Sequence, residues 1–146
     1  MKTITRPTIL LVGAVLLLVL GICIVFGQVG HAAVDCGASE KFSDAELDAA
    51  IRCAKSSFIR NFSGCELLKV CYDEEEAQRV IDGYLYHGAG KGTPAKEENL
   101  LVLFLDFKTG ERASPALNPN AVYYQYGATL LRDRADGPWK VVEWGY

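Results

Sequence analysis

Leu100-Leu101-Val102-Leu103-Phe104-Leu105-Asp106-Phe107 is the stretch whose reading decides the fold. A run of this length, rich in Leu, Val and Phe, reads as a strand. Alternate residues of a strand face opposite sides. One face therefore carries Leu101, Leu103, Leu105 and Phe107, and the other Leu100, Val102, Phe104 and Asp106. An antiparallel strand with one solvated face alternates apolar with polar; this one is apolar on both. Something has to cover the second face: a curled sheet, a pocket or another subunit.

On the C-terminal side, Lys108-Thr109-Gly110-Glu111 opens a polar connection that runs through Pro115 and Asn118-Pro119-Asn120. Residues 121–134 form a long strand with Tyr123, Tyr124 and Tyr126. Ala135-Asp136-Gly137-Pro138 supplies hairpin chemistry before a last strand at 139–146. On the N-terminal side, residues 89–99 carry two glycines, a proline and mixed charge, the composition of a surface loop. Before it lies a helix that Asp73 caps, with Glu76 three residues on, a buried stripe of Ala77, Val80, Ile81 and Tyr84, and Gly88 as its stop. The acidic run from Asp73 to Glu76 fits the positive end of that helix better than a cation site.

Residues 65–72 read as a short strand. Ser43-Asp44-Ala45-Glu46 is a capping box that starts an earlier helix, with Leu47, Ile51, Ala54 and Phe58 at helical spacing and an end near Asn61. Residues 28–42 show no periodicity and read as a tether. The order is helix, strand, helix, then three antiparallel strands. This is an α+β domain with helices packed on one face of a curved antiparallel sheet.

Residues 9–27, ILLVGAVLLLVLGICIVFG, contain no charge, and with Thr8 they reach about the 20 residues needed to cross a bilayer as a helix. Lys2 and Arg6 precede them, so the positive-inside rule leaves the N-terminus in the cytoplasm and the remainder outside. Residues 1–34 then comprise a cytoplasmic stub, a membrane anchor at about 8–27 and a tether, with an extracytoplasmic domain at 35–146. A secreted protein released by signal cleavage is the alternative, with Gly30-His31-Ala32 a passable cut; the run is longer than the usual signal core. A lipoprotein reading on Cys23 conflicts with the bulky Ile22 before it.

The outer part has thirteen basic residues against eighteen acidic ones, a net of −5. An acidic domain without a basic stripe is unsuited to nucleic acid and to anionic membrane surfaces. Outside the cytoplasm, the even set Cys36, Cys53, Cys65 and Cys71 predicts two disulfides. Cys65 and Cys71 lie ~20 Å apart along one strand at ~3.3 Å per residue, beyond the reach of a disulfide. The strand returning beside the first helix brings Cys53 toward Cys71 and leaves Cys36 for Cys65. No Cys-x-x-Cys spacing exists, and no metal or cofactor is expected.

The chain resembles a group of small exported domains of Gram-positive bacteria with the NTF2-like (SnoaL-like, cystatin-like) cone fold. The carriers are the motif from Phe42 to Leu47, Gly64-Cys65 with Tyr72-Asp73-Glu74, Asn118-Pro119-Asn120, and the ending from Asp136 to Val141 through Trp144-Gly145-Tyr146. The resemblance spans about residues 42–146. It implies a strongly bent sheet whose concave face forms a pocket or a dimer surface, and it implies no activity.

Enzymes of that fold place an aspartate and a histidine together in the cavity. Here His87 sits beside the Gly88 stop, a position that suits a cation at a helix end. Asp106 shares a face with Leu100, Val102 and Phe104, where a carboxylate could serve as a base in an apolar cavity, or simply mark the strand's exit into water. Glu143, Arg132 and Asp106 lie on adjacent strands and could be salt-linked. Tyr84, Tyr124, Tyr126 and Trp144, with Tyr123 and Trp139, could line a ligand cavity or belong to core and interface. No phosphate-binding glycine loop, Gly-x-Ser-x-Gly elbow or His-Glu-x-x-His element is present. The sequence thus favours a membrane-anchored, non-catalytic binding or interaction domain, alone, as a homodimer or with an envelope protein partner. The alternative is a small-molecule binder or enzyme using Asp106 with the ligand-site candidates Tyr84, Tyr124, Tyr126 and Trp144.

Overall fold

The structure, a computed structural model, describes Val15 and residues 27–145. Its elements are β1 (Ala33–Cys36), α1 (Asp44–Asn61), β2 (Cys65–Tyr72), α2 (Glu74–Tyr86), a 3-10 turn (Glu97–Asn99), β3 (Leu100–Thr109), β4 (Val122–Leu131) and β5 (Lys140–Gly145). The strands form one sheet in chain order, β1 to β5. β1 runs parallel to β2, and every other pair is antiparallel. The expected antiparallel sheet is therefore corrected to a mixed one. The segment read as a tether supplies β1, and α1 is the kind of crossover that a parallel pair requires.

The second correction concerns the helices. Pairing register places Leu101, Leu103, Leu105 and Phe107 on one face with Ala128, Leu130, Tyr126, Tyr123 and Trp144 of the neighbouring strands. α1 packs there: Phe58 meets Phe107 edge-on at 5.6 Å, and the adjoining Phe62 meets Trp144 at 4.8 Å. The opposite face carries Leu100, Val102 and Phe104, and Val102 lies beside Thr129, itself opposite Glu143. Thr129 and Glu143 share a cavity wall with Arg79, Val80, Gly83 and Tyr84 of α2. The helices thus lie on both faces of the sheet rather than one. α2 is what covers the second apolar face of β3, whose residues Leu100 to Leu105 are all buried. Burying each such side chain contributes about 1.5–3 kcal/mol.

Both helix starts follow the capping chemistry read from the sequence. The Ser43 side chain accepts from the Glu46 N–H while Glu46 Oε2 accepts from the Ser43 N–H at 2.9 Å. Asp73 accepts from the Glu76 N–H at 3.0 Å.

The membrane-anchor reading of residues 8–27 lies outside the described residues except for Val15 and Gly27, and it is corrected at Gly27. The Gly27 N–H donates to the Ile59 carbonyl at 2.9 Å, and a Cβ at Gly27 would come within 2.8 Å of the Phe58 carbonyl oxygen. Gly27 therefore belongs to the folded domain, and only a glycine fits against the end of α1. Among the described residues no helix is long and apolar enough to cross a membrane.

The disulfide expectation is also overturned: Cys36, Cys53, Cys65 and Cys71 are all free thiols. Cys36 aligns with Tyr72, at the far end of β2 from Cys65, which removes the Cys36–Cys65 pairing. The thiol of Cys53 donates to the Trp139 carbonyl at 3.1 Å, on the α1 side of the sheet, whereas Cys71 aligns with Phe104 on the α2 side. The pleat separates the two. Alkylation of the denatured, unreduced chain should label all four residues, and reductant should leave the urea midpoint unchanged; a crosslinked peptide pair among them would refute this geometry.

Candidate functional site

The residues singled out in the sequence do not converge. Asp106 lies where the register shifts on both of its neighbours, β2 and β4. On the β4 side, Tyr124 and Gln125 bulge out opposite it, with Gln125 at φ +56. Asp106 Oδ1 accepts from the Gln125 N–H at 2.9 Å, satisfying the donor that the bulge takes out of the ladder. Its carboxylate is committed to backbone geometry. Tyr124 projects into solvent, 63 % exposed. Tyr126 joins Phe62, Phe107 and Tyr123 in an aromatic layer under α1. Tyr84 and Trp144 both border a cavity of about 470 Å³ between α2 and the β4–β5 pair. The salt-linked group of Asp106, Arg132 and Glu143 does not form, because Arg132 turns to Glu46 and lies at the other end of the sheet from Asp106.

The residue that organises a site is Arg132. It follows β4 and continues its ladder, donating from its N–H to the Asn99 carbonyl at 3.0 Å. Strand alternation carries it to the face of Ala128 and Leu130, toward α1. There the guanidinium lies 4.5 Å from the Trp139 ring centroid and 5.7 Å from that of Phe42. Only 7 % of the side chain is exposed. Nη1 donates to Glu46 Oε1 at 2.7 Å, and Nη2 reaches the Glu98 carbonyl at 3.5 Å. Nε is buried and meets no acceptor among the described residues. Desolvating a guanidinium costs several kcal/mol, which the Glu46 pair and the two rings offset, at about 0.5–2 kcal/mol per ring. The orphaned Nε–H adds a cost of about 1–3 kcal/mol.

Arg132 stands between two hollows. One, of about 760 Å³, is walled by Lys41 and Phe42, by Glu97 to Asn99, and by Arg132 to Ala135, apart from Asp133. The other, of about 390 Å³, lies against Glu46, Arg52, Cys53 and Trp139. Three distant segments thus meet at the larger cavity, and each is tied in place. Glu74, in the first turn of α2, accepts from the Ser39 hydroxyl at 2.6 Å and from the Glu40 and Lys41 N–H groups. Ser39 in turn accepts from the Phe42 N–H at 2.9 Å, which seats the ring over Arg132. Lys41 Nζ holds Glu97 at 2.8 Å and also donates to Gln78.

The titrating groups are tuned by these bonds. The Ser43 N–H, and then the Arg132 guanidinium, hold the Glu46 carboxyl down at about 2. The Ser39 hydroxyl leads the donors that keep Glu74 below its ordinary value. Burial pushes the Cys65 thiol up to about 11 and raises Cys36, Cys53 and Cys71 as well, so these thiols are weak nucleophiles at neutral pH. Arg132 carries a signal that sequence reasoning passed over: an arginine in phase with the inward residues Ala128 and Leu130. Comparison with protein-family models, with curated proteins and with solved structures finds no match to the chain.

Two outcomes test these roles. Asp106→Asn retains an acceptor and should alter stability by less than about 0.5 kcal/mol, whereas Asp106→Ala gives up the bond to the exposed Gln125 N–H and should cost about 0.5–1.5 kcal/mol by urea unfolding. The Glu46 carboxyl falls from 4.5 unfolded to about 2 folded, so its stabilisation is complete above pH 4.5 and disappears as the pH drops toward 2. Urea midpoints measured across that window should fall for the native chain and fall less steeply for Glu46→Gln.

Proposed function

We propose that this chain is a non-catalytic binding domain whose site is the cavity at the Phe42–Arg132 end of the sheet. The observation that carries the reading is the Arg132 guanidinium: buried, ring-clamped, fixed at one end by Glu46, and set in the wall of a cavity built from three separate segments. A volume near 760 Å³ falls in the range of small-molecule sites. Buried charge held in a cavity wall is costly for folding alone, and it suits recognition of a polar group.

The enzyme alternative loses its central residue, because Asp106 is engaged with the Gln125 N–H and does not border this cavity. The sheet edges favour a ligand over a second copy. β1 has four residues, and β5 has six with a bulge at Val142, both of which discourage edge-to-edge pairing.

A mixed set of neutral, cationic and anionic fragments, titrated into the isotopically labelled full chain, tests the proposal by amide and side-chain shifts. Binding should cluster at Phe42, Asn99, Arg132 and Ala135. Shifts gathered around Asp106 and Tyr126, or none at the Arg132 cavity with any fragment, would falsify it.

A further inference from the structure

We infer that the cavity between α2 and the β4–β5 pair is a second site, separate from the Arg132 cavity, that takes an organic ammonium. Its volume of about 470 Å³ suits a small ligand. Thr129 lines it, turned by strand alternation toward α2 and away from the α1-facing Ala128 and Leu130. This residue is only 3 % exposed, and its hydroxyl bonds to no described residue. Buried hydroxyls are normally satisfied. This one is not sealed in the interior: among the described residues, Arg132 Nε is the side-chain atom that is both shut away and without a partner. The Thr129 oxygen therefore keeps a surface toward the cavity. Above it α2 leaves a gap. Gly83 lies inside the helix, where glycine is a poor helix former, and a Cβ there would meet nothing within 4 Å. Packing does not require that glycine. Val80 and Tyr84 flank the gap, and Gly90 packs so closely on the Tyr84 ring that a Cβ would collide with it.

Charge decides the ligand. Glu143 lies directly across the ladder from Thr129 on the same face, so carboxylate and hydroxyl stand side by side. Glu143 has no ion-pair partner among the described residues. Arg79, on the opposite wall, is already held by Glu75 at 3.0 Å and by Glu76 at 2.7 Å. One guanidinium thus stands against three carboxylates. His87 and Gly88 bring the C-terminal end of α2 to the cavity, and that negative pole has no basic residue in its last turn. These fields favour a cation over an anion. An ammonium head donates to Glu143 and to the Thr129 oxygen, while its apolar body fills the space beside Gly83, Val80 and Tyr84. Glu143 is exposed and screened by water, so its charge selects the ligand more than it tightens binding.

The head could belong to a small amine or to a lysine side chain, and one titration separates them. The full chain, labelled with ¹⁵N and with ¹³C at the threonine methyls, is titrated with benzylamine, benzyl alcohol and Nα-acetyl-lysine methylamide. Benzylamine should move the Thr129 methyl and the Gly83 and Glu143 amides saturably, and benzyl alcohol should bind at least about fivefold more weakly. Tighter binding of the lysine derivative than of benzylamine assigns the site to lysine side chains; the reverse order assigns it to small amines. Glu143→Gln, an exposed change, should weaken benzylamine about fivefold and leave benzyl alcohol unaltered. Gly83→Leu places its side chain in open space on a better helix former, so it should fold at least as stably and respond to no probe. If that variant fails to fold, the Glu143→Gln comparison decides alone. Equal response to amine and alcohol overturns the ammonium assignment. Benzylamine shifts that persist in Gly83→Leu, or that gather at Phe42 and Asn99 instead, overturn the location. Silence of Thr129 toward every probe overturns the site and leaves the Arg132 cavity reading untouched.

Discussion

β3 is apolar on two faces, and every other feature of the fold answers that constraint. A strand with Leu101, Leu103, Leu105 and Phe107 on one side and Leu100, Val102 and Phe104 on the other cannot lie at an edge or against water. It takes the middle of the sheet, with β2 and β4 beside it, and it needs a helix over each face. α1 and α2 meet that need from opposite sides. α1 reaches its side by crossing over from β1, which forces the parallel pair. The mixed topology is therefore a consequence of how one strand is buried.

The α1 face is closed differently at its two ends. Near Gly27 it is closed by aromatic rings, with Phe58 stacked on Phe62 at 4.6 Å and Phe107 on Tyr123 at 5.0 Å. Such packing is dry and self-sufficient. At the other end the same face is closed by Arg132 beside the edge-on pair of Phe42 and Trp139. An apolar residue there would fill the space without desolvating a charge, and exchanges of buried ion pairs for apolar groups are often neutral or stabilising. The arginine is thus hard to account for by stability alone, and its orphaned Nε–H sharpens the point. The end of the core that is worse packed for folding is the end that opens on the cavity of about 760 Å³.

Local chemistry was legible in the sequence wherever a few neighbouring residues decide the outcome. The Ser43–Glu46 box, the Asp73 cap, the strand at β2 and the double-faced β3 all follow from nearest-neighbour patterns. β1 was not legible, because Ala33, Val34 and Asp35 are exposed and its four residues carry no alternation; only pairing with β2 makes it a strand. The cysteine pairings failed for a related reason. Whether two thiols meet depends on register and pleat parity, and Cys71 falls on the α2 side while Cys53 falls on the α1 side. Asp106 was read from its own strand, yet its role is set by a bulge in the next one. The candidate site needed the same long-range information, since Lys41, Glu98 and Arg132 become neighbours only after the sheet has formed.

The acidic first turns of the helices add a last connection. Asp73, Glu74 and Glu46 are all explained at the sequence level by the positive end of a helix, and that explanation is sufficient for their presence. It does not explain their partners. Glu46 spends one oxygen on its cap and the other on Arg132, while Glu74 gathers the Ser39 hydroxyl and two backbone N–H groups of the segment that leads to Phe42. Two helix N-termini, on opposite faces of the sheet, thereby hold the charge and one of the rings that clamp it. Under the binding reading proposed above, a site fixed in this way would lose little freedom on taking a ligand, so more of each contact would be retained as affinity. Preorganisation here comes from capping residues that the helices required in any case.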